Sequence, residues 1–584
     1  MKQPSDLSRT EQKFVTLLLA TMLLFSPVWF TGCRQRAESE NSAGKVSTKN
    51  SQEPVESSKW QTPAEWALLT TQQSRDSFLR CVLLNKIARA QLAAGEKEQA
   101  LQTIKPALEL VYQTEQVVIE SIKIEEAVIK TLLQMRELDL AIQTAKKFMN
   151  QMIKVAAYRD IALELIKAGK MKQAVEEIQS LENVHVVKHI CGKVAESLVQ
   201  QGQKQRALEF VEQISHWDHK GTALCTMAWV YYEAGDLEQG LEVIRPVEGL
   251  YQKVEDKTAR DQLLSYYAGS LARGGLYKRP LELIALIKDP DTAESAYEFA
   301  AVTLTAAGDA TQGMKIADQI NEPSVKRSAL QGIAGTIANK SDDFDEALKV
   351  AAMIKDTGAR DYALENIARL AAKAGKGKQT EEVMQKLSNL DQNTFFSRDV
   401  AYHLVETGNL KSAMQIAELM QTEESKSIFL DSIARAVARS GETKAALDII
   451  QKIQVPMRKD QARSRVAAGF VEAGKTDEAI QLVSRIENGV EQTRVLTEIA
   501  AALFKTGDDT QGVKVLNQAI DFASKHRARN YLVDVIMPLA SEPLTAAQQK
   551  AEETNVITPL KKSFTSDEKR VAKRLLNIFY TMSN

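Results

Sequence analysis

Past Trp60 the chain repeats one pattern of apolar and polar positions: a run with the three-and-four spacing of an amphipathic helix, a break, then a shorter run of the same kind. The break falls at Gly95, Arg136, Gly169, Gly202, Gly235, Gly275, Gly308, Asp342, Gly375, Gly408, Gly441, Gly474 and Gly507. Nine of the twelve intervals between these positions are 33 residues, so the unit is a helix pair with no room for strands. One interval is 34 and absorbs an extra residue near Ser341. The other two are 41 and 40, and both carry a related insert: Ile104-Lys105-Pro106 with Tyr112, and Ile244-Arg245-Pro246 with Tyr251.

Two small residues mark each unit. Seven residues before the break stands Ala or Gly in twelve of thirteen units, for example Ala162, Ala368 and Gly335, with Ile129 the exception. Five residues after it stands Ala or Gly in eleven of thirteen, with Pro280 and Thr380 the exceptions. One small residue on each helix lets the two helices of a hairpin approach closely, and Ile87, Ile161, Ile367, Ile433 and Ile499 fill the adjoining seam. Glycine closes the first helix because it accepts a positive φ without steric cost.

A stack of such hairpins exposes apolar seams at its ends, so caps are expected. Thr62-Pro63 offers an N-cap and a first-turn proline to a helix carrying Trp66, Leu68 and Leu69. Near the other end Thr565 and Glu568 form a capping box ahead of Val571, Leu575, Leu576, Ile578 and Phe579. That helix also carries Lys569, Arg570, Lys573 and Arg574 on its polar side, read as a solvated face. The expected organisation is a leader over 1–32, a tether over 33–60, helical repeats over 61–524 and a helical cap over 525–584.

Small residue, glycine at plus seven and small residue at plus twelve, in a unit of 33 to 34, resembles the tetratricopeptide repeat over about four fifths of the chain. The family's third small position is filled by Leu181, Ile214, Met420 or Ile486, and its proline near the repeat end is mostly absent. The resemblance implies an all-α, right-handed superhelical α-solenoid of about thirteen helix-turn-helix repeats with terminal capping helices. It also implies a concave face of first helices that captures a protein or an extended peptide. The position after the first small residue is then a contact site, and it carries Trp229, Arg369, Tyr402 and Arg435, the last three in consecutive repeats. Arginine beside tyrosine suits a peptide of acidic or carboxylate character. The competing reading pairs these side chains with Glu365, Asp431 and their neighbours.

The amino terminus adds an address. Lys2, Arg9 and Lys13 precede an apolar run from Phe14 to Phe30 that ends at Thr31-Gly32-Cys33. Seventeen residues with Pro27 near the end fit an export signal better than a membrane span. Phe30-Thr31-Gly32-Cys33 resembles the bacterial lipobox, which implies lipidation of Cys33 and a protein held at the cell envelope, facing the periplasm or exterior. Arg34 to Lys59 is polar and reads as a flexible tether.

Composition narrows the remaining classes. Lysine plus arginine is 75 against 76 acidic residues, so no net cationic field draws the chain to nucleic acid, and no nucleic-acid partner is expected. Four cysteines are too few and too scattered to staple the fold or form a Cys-x-x-Cys knuckle. Phosphate-loop, Rossmann, His-Glu-x-x-His and nucleophile-elbow motifs are absent, and carboxylate pairs such as Glu125-Glu126 show no apolar pocket. The expectation is a non-catalytic scaffold with no cofactor, no metal and no small-molecule substrate. One alternative is a metal-dependent or hydrolytic enzyme at the cluster of His185, His189, Cys191, His216, His219 and Cys225. Against it, His216–His219 reads as an inter-repeat loop and the two cysteines as seam residues. A purely structural envelope spacer is the other alternative.

Overall fold

A computed structural model describes residues 62–584, apart from 73–76, 112–118, 341, 392, 527–530, 533–534, 541–560 and 584. The expected leader, tether and Cys33 lie outside the described residues, as do Tyr112 and the side chains of Leu576, Ile578 and Phe579. Among the described residues all regular structure is helical. The chain is an α-solenoid of helical hairpins, and no described helix is long and apolar enough to cross a membrane.

Each hairpin pairs a long first helix, typically 17 residues as in Gln151–Lys167 or Thr357–Lys373, with a shorter second one such as Met171–Gln179. Asparagine or aspartate starts many first helices: Asn150, Asn183 and Asp356 accept the orphan amides of the first turn. All thirteen expected break positions have positive φ, eleven of them glycine, with Arg136 at 61° and Asp342 at 52°. The left-handed residue folds the helix end back on itself: Gly169 donates to the Ile166 carbonyl at 3.0 Å and Lys170 to that of Leu165 at 2.8 Å.

The small marks sit at the hairpin seams as expected, with one correction. Ala162, Ala368 and Ala434 are buried against their partner helices, but in the unit that turns at Asp342 the seam residue is Ala334, and Gly335 is half-exposed. The extra residue lengthens that first helix to Pro323–Lys340, 18 residues, so counting back from the turn lands one place too far along the chain. The two long inserts also diverge. Pro106 is carried inside Lys97–Val111, whereas Pro246 ends one helix and starts the short Val247–Leu250.

The position that departs from the tetratricopeptide pattern has a structural role. Phe148, Ile214, Ile320, Ile354, Ile453 and Ile486, each seven residues past the second small mark, are buried at the ends of second helices. Every first helix packs on the first helix of the next repeat, while second helices pack chiefly within their own hairpin and on the following first helix. Stacked through their first helices, the hairpins form one continuous array that turns along its length.

That turning brings the ends together. The short helix Ile536–Ala540 packs between the last first helix, Gly489–Thr506, and the earliest, Ser77–Ala93. Outside it, Ser566–Ser583 packs on Asp509–His526 and on the front helix Pro63–Gln72. The caps expected to seal two separate ends therefore seal each other. Trp66 is fully buried, donates its indole N–H to the Ala572 carbonyl at 3.0 Å, and meets the Phe564 ring edge-on at 5.5 Å. Both expected caps form, since Thr565 and Glu568 exchange bonds of 2.8 and 3.3 Å, and Thr62 and Glu65 do the same.

Candidate functional site on the inner wall

A first helix is buried on the sides that meet its own second helix and its two neighbours. What remains is a stripe facing away from the second helices; in Thr357–Lys373 it carries Tyr362, Asn366, Arg369 and Lys373, at helical spacings of four, three and four. Repeated through the array, these stripes form a continuous inner wall. Neighbouring stripes are in register: the residue one past the seam meets the residue two before the seam of the next repeat. Arg369 reaches Asp399 at 3.9 Å by this rule. Gly269 and Gly335 obey it from the other side, because a Cβ on Gly269 would lie 2.1 Å from the Phe299 ring and one on Gly335 2.7 Å from the Asn366 amide.

All four expected contact residues lie on this wall. Trp229 donates its indole N–H to Ser270 at 2.6 Å, faces Phe299 at 5.5 Å between ring centroids, and lies under the Arg273 guanidinium, also at 5.5 Å. Arg369 donates to the Asn366 side chain at 2.6 Å. Tyr402 bonds Glu406, accepts from Arg439 at 2.7 Å, and stacks beneath that guanidinium at 5.2 Å. Burial and the Glu406 carboxylate push the Tyr402 hydroxyl up to about 12, against the pull of Arg439. Arg435 and Arg439 share the Glu472 carboxylate, at 3.3 and 2.6 Å.

The wall from Arg369 onward is thus a ladder of charge pairs between repeats. Of the two acids that the sequence offered as partners, Asp431 pairs with Arg465, while Glu365 accepts from Asn393 at 2.8 Å. The arc before it is different. Trp229, Tyr266 and Phe299 come together from three consecutive first helices, with Tyr266 and Phe299 6.2 Å apart edge to face. Only Trp229 of the three was singled out from the sequence. The signal for the others was Gly269, whose missing side chain admits Phe299 across the preceding helix.

The histidine cluster is assembled only in part. His216 and His219 lie 5.0 Å apart, while His185 and His189 are exposed. The expected loop at His216–His219 is instead a helix start: the helix begins at Trp217, and His219, 3% exposed, lies in its first turn. Burial first, then His216, Lys188 and His185, lowers the affinity of His219 for a proton, with Asp218 opposing. Cys191 and Cys225 are buried seam residues whose thiols burial pushes up to about 12, so both stay protonated near neutrality. Among the described residues no three His, Cys, Asp or Glu side chains are placed to hold a metal ion. Glu125 is half-buried and pushed up to about 7 by desolvation. The sequence showed no pocket for it, and the Cys81 thiol, raised to about 12 by burial and by this carboxylate, is the reverse of an activated nucleophile.

No protein-family model matches this chain, and no curated protein does. Among solved structures, one similar chain is Ton1535 from Thermococcus onnurineus NA1, 17% identical, covering 64% of this chain and 99% of its own, with a TM-score of 0.20. Another is the pentatricopeptide repeat protein PPR10 from maize, 12% identical, covering 88% of this chain and 83% of its own, with a TM-score of 0.29.

Proposed function

We propose that this protein is a non-catalytic scaffold whose inner wall grips an extended polypeptide or a partner protein. The observation that supports the reading most is the register of first helices, which aligns Trp229, Arg369, Tyr402 and Arg435 along one continuous face. Tryptophan, tyrosine and arginine held by their neighbours lose little freedom when a partner arrives, and such residues anchor interfaces. The scaffold is displayed at a bacterial envelope by lipid on Cys33, a reading supported by the order of charge, apolar run and Thr31-Gly32-Cys33 in the sequence.

The test is crosslinking in the native envelope followed by identification of neighbours, for the wild type and for Trp229→Ala and Arg369→Glu variants that keep their helical content. Loss of the main neighbours in the variants is expected. Neighbours that persist in both would leave a structural spacer and overturn the scaffold reading. The anchor has its own check: Cys33→Ser is expected to move the protein from the membrane to the soluble fraction, and unchanged sedimentation contradicts it.

A further inference from the structure

Consecutive repeats are tied by short pieces of chain. Residues 180–183, for example, link the second helix Met171–Gln179 to the next first helix, Val184–Gln200. The join between the two ends has no such link: Trp66 and Ala572, which meet there, are 506 residues apart along the chain. A joint held by a short loop cannot separate far, because the loop keeps its two sides at high effective concentration. Parting the ends frees both sides, and bringing them back costs more chain entropy.

The join is also built from smaller parts. Consecutive repeats meet along first helices of typically 17 residues, as Gln151–Lys167 meets Val184–Gln200. At the join, Pro63–Gln72 and Ser77–Ala93 meet the five-residue helix Ile536–Ala540, and Pro63–Gln72 also meets Ser566–Ser583.

Polar contacts hold the rear cap to its own side. Lys561 lies 2.9 Å from Asp509 and 2.5 Å from Glu568, and Arg574 lies 2.9 Å from Asp521. Both aspartates belong to Asp509–His526, the second helix of the last repeat. The Lys561 amide donates to the Ala540 carbonyl at 2.9 Å, so the short helix is tied to the same side. What reaches across from the front helix is the fully buried Trp66 side chain, with its N–H on Ala572 and its ring against Phe564.

We propose that this join is a reversible latch keyed by Trp66. The array opens there in one step, while each hairpin keeps its own seam and its contacts with its neighbours. Open, the array has two ends and a way in to the inner wall between them.

The test uses the full chain and two measurements: native-state hydrogen exchange read by mass spectrometry, and the distance between spin labels at Gln72→Cys and Lys573→Cys with the native cysteines replaced. Pro63–Gln72 and Ser566–Ser583 are expected to exchange through one shared opening, with the same dependence on denaturant, at least about tenfold faster than Gln151–Lys167. Trp66→Ala should speed exchange in Ser566–Ser583, on the other side of the join, at least about tenfold. It should leave Gln151–Lys167 unchanged and add a longer component to the distance distribution. Trp66→Phe, which keeps a ring beside Phe564 and loses the bond to Ala572, should act in the same direction and less. Acceleration confined to Pro63–Gln72 would mean two ends that fray independently. Equal acceleration in every helix would mean a join that parts only in global unfolding. Either result overturns the latch and leaves the scaffold reading standing.

Discussion

Gly269 and Phe299 show how one residue's size is set by another 30 positions away. The glycine gives up side-chain packing so that an aromatic ring can cross its helix, which propensity in a single helix does not reveal. Gly269→Ala is expected to destabilise the fold by about 1–3 kcal/mol through overpacking against the ring. Gly249→Ala, where a Cβ meets nothing within 4 Å, should be neutral or slightly stabilising. Chemical denaturation of the two variants checks both outcomes. His219 makes a second prediction at this scale. Its burial keeps the imidazole neutral in the fold, while the unfolded chain takes up a proton below about pH 6.5. Unfolding therefore becomes easier as pH falls through that value toward the lower value in the fold. His219→Leu should lose less stability than the wild type between pH 7.5 and 5.5, and an equal loss in both would contradict the assignment. The sequence placed this histidine in a loop because a His-Trp-Asp-His stretch carries no helix-start signal beyond Asp218, and the burial comes from the neighbouring repeats.

At the scale of elements, the glycine turns and small marks were legible because they answer to local chemistry: a left-handed residue must end each first helix, and a small one must sit where two helices touch. The slip from Ala334 to Gly335 shows the limit. A one-residue insertion can be placed near Ser341 from spacing alone, but whether the turn or the helix absorbs it depends on packing. The buried plugs at the ends of second helices, such as Ile214 and Ile486, were visible as departures from a family pattern, and their burial was not, since it is a property of neighbours. Capping is the clearest local success. Thr565→Ala removes a bond to the first turn of Ser566–Ser583 and should cost about 1 kcal/mol. Hydrogen exchange in that helix is then expected to speed about fivefold, with the distant helix Gln151–Lys167 unchanged.

Over the whole described array, the ends define the architecture. No spacing rule connects Trp66 with Ala572, because the meeting depends on a small turn accumulated over the successive hairpins. The contact residues on the inner wall were legible only as positions; which of them are tied into ion pairs and which present bare rings depends on the register between neighbours. Closure also joins the front helix to the last repeats, because Ile536–Ala540 packs on Gly489–Thr506 and on both Pro63–Gln72 and Ser77–Ala93. Breaking that join would free the terminal helices while leaving each hairpin its own seam.

The most direct measurement is a distance between the two ends in solution. Spin labels at Gln72→Cys and Lys573→Cys, both exposed, in a chain whose native cysteines are replaced, report it by double electron–electron resonance. The closed array predicts one narrow distribution at about two helix diameters, roughly 20–25 Å. A broad distribution reaching well beyond that would mean the hairpins stack without meeting, and the account of a closed inner wall would fail.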